Sequence, residues 1–323
     1  MLSARFRPWH VPLFAAKYAW HRARGTPLLV LFEVTMRCNA RCDFCDYWKT
    51  DPVARAHELA SFADAARRFD PVMITFTGGE PLLRRDLESL VAAVAGAVRL
   101  KYITVITHGG SLTVDRALSL WEAGINQFNI SLDYLDERHD RARGIPGLAA
   151  RILDLVPKLR AAGIDSIRFN TVIKASNIDQ LLPIVHRAAE LGAGVSFSAY
   201  TGLKNGNDAH LPRAGEFAAL DAAVAALLAY KAKRRGVIVN SDHYLRGIPR
   251  WFRGELDEPC HSGMRTIHVD PLGMVRRCPD FPSDFHWRDF KRYEPIACDQ
   301  CFYACRGEAQ APLTLSRVRD YTA

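Results

Sequence analysis

Three cysteines near the start of the chain have the spacing of a metal site. Cys38, Cys42 and Cys45 form a C-x3-C-x2-C pattern directly after the apolar segment 28–35. On a loop that leaves a strand, their thiolates can all face one metal centre. Tetrahedral zinc or a four-iron cluster normally takes four protein ligands, so this group is one ligand short. Either a distant residue supplies the fourth ligand, or one metal position stays open for a small molecule that can receive an electron.

Five further cysteines lie near the other end of the chain: Cys260, Cys278, Cys298, Cys301 and Cys305. The segments 266–269 and 274–277 predict a β-hairpin whose ends bring Cys260 and Cys278 together. Cys298-x2-Cys301 is a second pair, of the kind found in metal-binding turns. We expect these four to bind one metal centre, with Cys305 the least certain ligand. An alternative set takes Cys305 in place of Cys298, and the pattern also suits a four-cysteine zinc ribbon.

The composition is that of a globular α/β protein. The 323 residues are 49% apolar, enough for one large domain and an appendage. No segment approaches ~18 uncharged apolar residues, and no small-residue cleavage site follows the apolar segment 11–20, which Lys17 interrupts. We therefore expect a cytoplasmic protein with reduced, metal-bound cysteines. The net charge of +8 is spread along the chain, so we predict no nucleic-acid partner.

From residue 28 onward, short β-rich segments alternate with longer segments of helical periodicity. The predicted strands are 29–35, 72–76, 102–107, 127–132, 166–173 and 195–199, and the helices between them are 56–69, 84–98, 114–122, 147–162 and 178–191. Six such units with apolar strands predict an α/β fold with a parallel sheet, most simply a partial (β/α)6 TIM-type barrel and alternatively a doubly wound sheet. In both arrangements, ligands bind at the carboxyl ends of the strands, where the first cysteine group lies.

Three parts of the chain are predicted: an N-terminal extension (1–27), the barrel (28–235) and a small cysteine-rich module with the hairpin (236–323). The extension is basic and aromatic. It could be a helix that packs on the main domain or one that contacts a membrane surface. In the later part, 216–234 predicts a helix and 246–258 a basic, aromatic connection.

Polar residues follow several predicted strands, and in sequence order the candidates are Gly78, Gly79, Glu80, His108, Ser131, Arg143 and Asn170. The glycines permit close approach of the backbone to a ligand, while Glu80 and Arg143 carry charges that suit an amine and a carboxylate. Each residue alone could be an ordinary cap or turn. Together they suit a polar ligand with ribose hydroxyls and an amino-acid end.

Taken together, these motifs resemble the radical S-adenosylmethionine (radical SAM) superfamily. The resemblance covers about residues 28–200 and rests on C-x3-C-x2-C after the first strand, Gly-Gly-Glu-Pro after the second and Ser-x-Asp after the fourth. It implies that Cys38, Cys42 and Cys45 hold a [4Fe-4S] cluster whose open iron binds the amine and carboxylate of S-adenosylmethionine. An electron from the cluster would cleave a carbon–sulfur bond and give methionine and a 5′-deoxyadenosyl radical, which removes hydrogen from a substrate.

The resemblance also implies roles for the residues at the strand ends. Phe44 would pack near the adenine, and the segment 78–80 would receive the methionyl amine. The remaining contacts, to ribose and carboxylate, would come from Ser131, Arg143 and Asn170. Relatives often have Thr-Asn-Gly after the third strand, whereas this chain has histidine at position 108. The role of His108 is therefore open.

The C-terminal cysteines resemble the auxiliary-cluster modules of this superfamily, the SPASM domain and its shorter twitch relative. The resemblance implies a second [4Fe-4S] cluster. Because Asp280 follows Cys278 by two residues, it is a candidate proton acceptor beside that cluster or, alternatively, a surface turn residue. We expect an oxidation or rearrangement of a small molecule or lipid-like metabolite, because 27 residues before Leu28 are too few for a peptide-binding domain. The alternatives are maturation of a ribosomal peptide or protein and, in a different class, a non-catalytic zinc-binding protein. An electron donor such as flavodoxin or ferredoxin is expected.

Overall fold

The computed structural model describes residues 9–49, 59–256, 258–312 and 314. Its strands are β1 (Leu29–Thr35), β2 (Met73–Gly78), β3 (Tyr102–Thr107), β4 (Gln127–Ser131), β5 (Ile167–Ile173), β6 (Gly194–Ala199), β7 (Thr266–Val269), β8 (Met274–Arg276) and β9 (Phe285–His286). Its α-helices are α1 (His10–Arg24), α2 (Leu59–Phe69), α3 (Leu87–Ala97), α4 (Val114–Ala123), α5 (Glu137–Arg143), α6 (Leu148–Ala161), α7 (Leu181–Glu190), α8 (Phe217–Lys233), α9 (Asp242–Phe252) and α10 (Ala304–Gln310).

All nine strands belong to one sheet, in the order β6-β5-β4-β3-β2-β1-β7-β8-β9. Neighbours from β6 to β7 are parallel, and β8 and β9 are added antiparallel. Val30, Phe32 and Val34 of β1 are buried in the main core. The alternate residues of the strand, among them Glu33, therefore face the other side of the sheet. The predicted α/β fold with a mostly parallel sheet is confirmed.

The predicted strand boundaries agree with the structure to within two residues. Three helices differ from the prediction: α5 and α10 were not predicted, and α9 forms where we expected a basic, aromatic connection over 246–258. That expectation is wrong because the Ser241 hydroxyl caps α9 by accepting a hydrogen bond from the Tyr244 amide. Burial of Tyr244, Leu245 and Ile248 then stabilises a helix whose arginines and Pro249 obscured the pattern. Residues 56–58 of the predicted helix 56–69 lie outside the described residues.

The hairpin extends the sheet instead of standing apart from it. Strand β7 pairs in parallel with β1, with Leu29 opposite Thr266 and Phe32 opposite Val269. Residues before and after the predicted boundary at 235/236 thus belong to one sheet. Within it, β1 lies between β2 and β7. None of the helices within the described ranges combines the length and apolar character that crossing a bilayer requires.

The opposite edge of the sheet is covered by the segment that leads into α9. The Val195 amide donates to the Val237 carbonyl at 2.7 Å, and the Asn240 side chain takes the place of a strand by bonding both the amide and the carbonyl of Phe197. Tyr244 then connects this edge to the cysteine-rich end, because its hydroxyl donates to the Phe302 carbonyl at 2.9 Å. Covering an edge in this way removes a surface that could pair with other strands.

The glycines after β2 let this strand lie against the chain that enters the first cysteine loop. The amide of Gly79 donates to the Thr35 carbonyl and that of Glu80 to the Arg37 carbonyl, each at 2.8 Å. A Cβ atom on Gly78 would lie 2.2 Å from the Thr35 oxygen, and Gly78 has a φ of +124°. The turn therefore needs glycine for packing, independently of any ligand.

We predict that Gly78→Ala lowers the free energy of unfolding by roughly 1–3 kcal/mol, because the methyl group meets a backbone oxygen and the φ is unfavourable for alanine. Gly96→Ala is the matched control, since a Cβ at this exposed position of α3 meets nothing within 4 Å. The control should be neutral or stabilise by up to about 1 kcal/mol. Urea unfolding followed by circular dichroism measures both. Equal midpoints for Gly78→Ala and the wild type would refute the packing argument.

Candidate functional site

The first cysteine group lies on the loop after β1, at the carboxyl edge of the parallel strands. Cys42 is buried, Cys38 and Cys45 are half-buried, and none of the eight cysteines, all within the described residues, forms a disulfide. Burial raises the pKa of Cys38 to about 11 and also raises the pKa values of Cys42 and Cys45. Nearby cations oppose this effect: Arg143 lowers the pKa of Cys42, and Lys204 lowers that of Cys45. Thiolates at this position are thus favoured by positive charge, which a metal centre also provides.

A buried charge network holds the loop through Phe44. The Arg143 guanidinium lies 5.0 Å and the Lys174 ammonium 4.2 Å from the centre of the Phe44 ring. Both cations are paired with Asp133, at 2.8 Å and 3.9 Å respectively. Burial disfavours ionisation of Asp133, but the two cations outweigh burial and lower its pKa. The main chain adds a further link, since the Arg41 amide donates to the Arg143 carbonyl at 2.8 Å.

Glu80 is enclosed by donors from its own chain. Its carboxylate accepts hydrogen bonds from the Thr107 hydroxyl at 2.7 Å and from the backbone amides of His108 and Leu82 at 2.9 and 3.1 Å. The side chain is 1% exposed. This environment suits a carboxylate that holds the turn in position, and it leaves few acceptor sites for an external amine.

His108 connects that turn to the first cysteine loop. Its Nδ1 accepts a hydrogen bond from the Gly110 amide at 2.9 Å, so the network assigns the ring hydrogen to Nε2, which donates to Asn39 Oδ1 at 2.8 Å. Nε2 also lies 3.2 Å from Glu80. Burial lowers the pKa of His108, consistent with this neutral ring. Asn39 lies next to Cys38, so the histidine that departs from the common pattern positions the loop.

Ser131 and Asn170 lie side by side, opposite one another in the register of β4 and β5. Their neighbours Ile130 and Phe169 are buried in the core, so both polar residues face the other side of the sheet. The sequence-based expectation that they share an edge therefore agrees with the register.

The second cysteine group lines one pocket, which contains all five cysteines together with Asp280, Tyr303 and Arg306. Cys305 lies in the first turn of α10, which begins at Ala304 rather than at Cys301. Burial, followed by the thiols of Cys301, Cys278 and Cys260, raises the pKa of Cys305. Burial likewise raises the pKa of Cys301 to about 12, with a further contribution from Cys278 and Cys260. Cys305 thus lines the same pocket as the other four cysteines and is not peripheral.

The remaining cysteine, Cys298, also lines this pocket, and its thiol contributes to raising the pKa of Cys260. Within the described parts of the chain, no three Cys, His, Asp or Glu side chains lie close enough together to hold a single metal ion. What the two groups offer is the soft thiolate donor set on which iron–sulfur clusters are built.

A cationic and aromatic cluster separates the two groups of cysteines. Lys204 Nζ lies 3.6 Å from Asp280 Oδ1, donates to the Pro279 carbonyl at 3.0 Å and sits 4.5 Å from the centre of the Tyr47 ring. Burial and then Asp280 raise the pKa of Tyr303, while burial, Cys45 and Asp280 raise that of Tyr47. Asp280, selected from the sequence as a proton acceptor, therefore lies buried between the groups.

Glu33 and His268 form a buried pair on the side of the sheet that faces away from the main core. Glu33 Oε1 lies 3.0 Å from His268 Nδ1, and Arg276 donates to the other carboxylate oxygen. Burial and the Lys204 ammonium lower the pKa of His268 to about 3, so the ring is neutral. His268 Nε2 is buried and, among the described residues, has no hydrogen-bond partner. With the hydrogen on Nδ1 directed at Glu33, Nε2 is an acceptor.

Sequence reasoning missed Lys174, Lys204, Glu33, His268 and Arg276. For Glu33 a signal existed, because a carboxylate inside the otherwise apolar strand LVLFEVT requires a buried partner. For the two lysines no local signal existed.

Comparison with known proteins identifies the family. Residues 32–188 match the model of the radical SAM superfamily. The PqqA peptide cyclase of Streptomyces rochei is 31% identical over 272 residues, which are 80% of this chain and 70% of that protein. The chain belongs to the radical SAM superfamily.

Other members of the superfamily match over a shorter part of the chain or in fold only. The GTP 3′,8-cyclase 2 of Pseudomonas aeruginosa is 32% identical over 171 residues, and the chain spans about half its length, 51% of each. SuiB of Streptococcus suis, solved with S-adenosylmethionine, has a TM-score of 0.65 at 15% identity over 85% of this chain and 67% of that one. The structure of anSMEcpe with bound S-adenosylmethionine and a peptide has a TM-score of 0.62 at 18% identity, over 82% of this chain and 78% of that one. These likenesses confirm the partial-barrel fold of this radical SAM chain.

We predict that Asp133→Asn lowers the free energy of unfolding at pH 7 by about 3–5 kcal/mol, because Arg143 and Lys174 are left buried without a counter-charge. Since the pKa of Asp133 is lowered in the folded state, its contribution is present above the unfolded pKa of about 3.9 and is lost as the pH falls below it. The difference between variant and wild type should therefore shrink in acid.

Urea titrations of both proteins between neutral and acidic pH test this. Asp154→Asn is the control, because this carboxylate pairs with Lys158 on the surface with 65% of its side chain exposed. The control should cost less than about 1 kcal/mol. A difference for Asp133→Asn that stays constant down to acid would rule out the charge-pair explanation.

Proposed function

We propose that this radical SAM chain is an enzyme with two iron–sulfur clusters and that its substrate is a peptide, modified between the two cysteine groups. The observation that carries the proposal is the buried polar region between these groups, which brings together Lys204, Asp280 and His268. A polar region enclosed by two thiol clusters suits oxidation chemistry, in which a substrate loses protons as well as electrons.

The residues of the first group fit a [4Fe-4S] cluster. Cys38, Cys42 and Cys45 are soft donors, and Arg143 and Lys204 favour their thiolate forms. When bound there, such a cluster supplies the electron for reductive cleavage of S-adenosylmethionine, the chemistry of this superfamily. Three protein ligands leave one iron for that cofactor.

For the cofactor itself, Ser131 and Asn170 remain the proposed ribose and carboxylate contacts, and packing of Phe44 near the adenine stays a prediction. The roles of Glu80 and Arg143 need revision. The Glu80 carboxylate already accepts three hydrogen bonds from its own chain. We therefore propose that the methionyl amine donates to main-chain carbonyls of the Gly78-Gly79 turn. Arg143 forms an ion pair with Asp133 and a cation–π contact with Phe44. Its contribution to the cofactor carboxylate would come through its charge and its buried Nε.

The region between the cysteine groups offers a carboxylate and a neutral imidazole to a substrate. Asp280 is held by Lys204, and the neutral His268 presents Nε2 because Glu33 accepts from Nδ1. The Lys204 ammonium lies 3.6 Å from Asp280 Oδ1, and a carboxylate can act as a general base. We propose Asp280 as the proton acceptor and His268 Nε2 as a hydrogen-bond acceptor that orients the substrate.

The preference for a peptide comes from the relative that matches most of the chain. The match to the PqqA peptide cyclase covers 80% of this chain, whereas that to the GTP 3′,8-cyclase covers 51%. A small molecule or lipid-like metabolite, favoured by the sequence analysis, is the second candidate and is supported by the GTP 3′,8-cyclases. A flavodoxin or ferredoxin as electron donor and a cytoplasmic location stay predictions.

We expect anaerobically reconstituted protein to form 5′-deoxyadenosine from S-adenosylmethionine with dithionite and Cys42→Ala to fall to background, because the cluster loses one of three ligands. Chromatography of the nucleoside products measures this, and circular dichroism checks that the variant folds. Undiminished product from Cys42→Ala would disprove the assignment of the first group.

The substrate class is tested with the same assay. A cell-extract fraction that stimulates 5′-deoxyadenosine formation should lose its effect after protease treatment if the substrate is a peptide. A protease-resistant stimulating fraction would favour the small-molecule alternative and leave the assignment of the cluster intact.

For the second cluster, the placement of the thiols reverses the ligand preference of the sequence analysis. The thiols of Cys260, Cys278 and Cys301 each raise the pKa of Cys305, which lines the same pocket, so we propose these four as ligands and Cys298 as the spare cysteine.

In a background with Cys38, Cys42 and Cys45 replaced by alanine, we predict that Cys298→Ala retains about four irons and that Cys305→Ala loses them. The two variants are each other's control, because both remove a thiol that lines the same pocket. Iron analysis and Mössbauer spectroscopy of anaerobic protein measure the outcome. The opposite pattern would restore Cys298 as a ligand, and zinc in place of iron would end the cluster hypothesis for this module.

A further inference from the structure

Helix α1 is attached to the rest of the protein by its polar side chains. Lys17 donates to Asp70 Oδ1 at 2.7 Å and to the Leu100 carbonyl at 2.8 Å. On the same side, His21 is 4% exposed and lies 2.9 Å from the Asp70 carbonyl and 2.7 Å from the Thr26 hydroxyl. Amphipathic helices of globular proteins normally turn their apolar side inward. On α1 the half-buried Phe14 and Tyr18 lie on the inner side together with the polar anchors, but further apolar residues remain outside.

The side of α1 that faces away from the protein is apolar. Leu13 is 53% exposed and Trp20 is 56% exposed, and Trp9 and Val11 beside the helix start are 62% and 42% exposed. Positions 9, 13, 16, 20 and 23 follow the helical repeat and carry Trp, Leu, Ala, Trp and Ala, all of them exposed. Four of the eight most exposed large apolar side chains in the described residues thus belong to this one segment. Such a concentration marks an interaction surface.

The charges around this surface identify the kind of partner. Helix α1 contains no acidic residue, and its last turn carries His21, Arg22 and Arg24. The Arg24 guanidinium lies 4.2 Å from the centre of the Trp20 ring, at the border of the apolar side. Tryptophan and arginine together are typical of helices that lie in the headgroup region of a bilayer, and the net charge of +8 adds attraction to anionic lipids.

We propose that α1 docks this protein on the surface of an anionic phospholipid membrane, with Leu13 and Trp20 entering the headgroup region and Arg24 meeting lipid phosphates. The polar anchors Lys17 and His21 keep the helix attached to the enzyme in the docked state. This inference is independent of the proposed substrate and of both cysteine groups.

The test is co-sedimentation of the full chain with two kinds of vesicle, phosphatidylcholine alone and phosphatidylcholine mixed with phosphatidylglycerol. We expect binding to the mixed vesicles that weakens as salt is raised, with little binding to the neutral ones. Leu13→Ser and Trp20→Ser should each weaken binding on the order of tenfold, since each removes an apolar side chain that enters the bilayer. Arg24→Glu should weaken binding to the mixed vesicles.

Leu272→Ser is the matched control, because Leu272 is 48% exposed on the hairpin turn, away from α1. It should bind the mixed vesicles like the wild type. Circular dichroism and thermal melting check that the α1 variants keep their fold, which is expected since their polar anchors are unchanged. Equal binding to neutral and anionic vesicles would overturn the proposal. So would a lack of vesicle binding, or self-association that the Leu13→Ser substitution abolishes, because α1 would then serve a protein interface.

Discussion

The double pairing of strand β1 is the constraint on which the candidate site depends. β1 pairs with β2 on one side and with β7 on the other, both in parallel. The first cysteine loop continues from β1, and the hairpin that starts with β7 brings in Cys278 and Asp280. Cys260 precedes β7 and Cys278 follows the antiparallel β8, so the pairing of β7 with β1 attaches the second cysteine group to the strand that leads into the first. A hairpin module separate from the sheet, as the sequence analysis expected, would not have required this pairing.

Buried charge is the second organising feature, and it is compensated locally. Asp133 is balanced by Arg143 and Lys174, and Glu33 by Arg276 together with the neutral His268. A buried carboxylate without such partners would cost several kcal/mol, so each network defines one arrangement of the side chains around it. The first network supports the cysteine loop through Phe44. The second supports the region where we expect the substrate.

Some residues that the sequence suggests as cofactor ligands form hydrogen bonds and ion pairs within the protein instead, as in these networks. Glu80 and Arg143 have the charges that a zwitterionic cofactor requires, yet both bond to their own chain. His108 has a similar task, since it joins the Gly-Gly-Glu turn to Asn39. A site that must bind a charged cofactor beside a metal centre needs rigid walls, and charged side chains that bond one another provide them.

The sequence by itself determined the local features of this protein. The strands, most helices and the position of the first cysteine group after β1 follow from apolar periodicity and residue spacing, which act over a few residues. Tertiary structure alone decided the partners that are distant in the chain. Glu33 and Arg276 are 243 positions apart, and only the pairing of β1, β7 and β8 brings them together. The same holds for Lys204 beside Asp280, for the place of Cys305 in the pocket of the second cysteine group, and for the outward apolar side of α1, because these depend on what each element packs against.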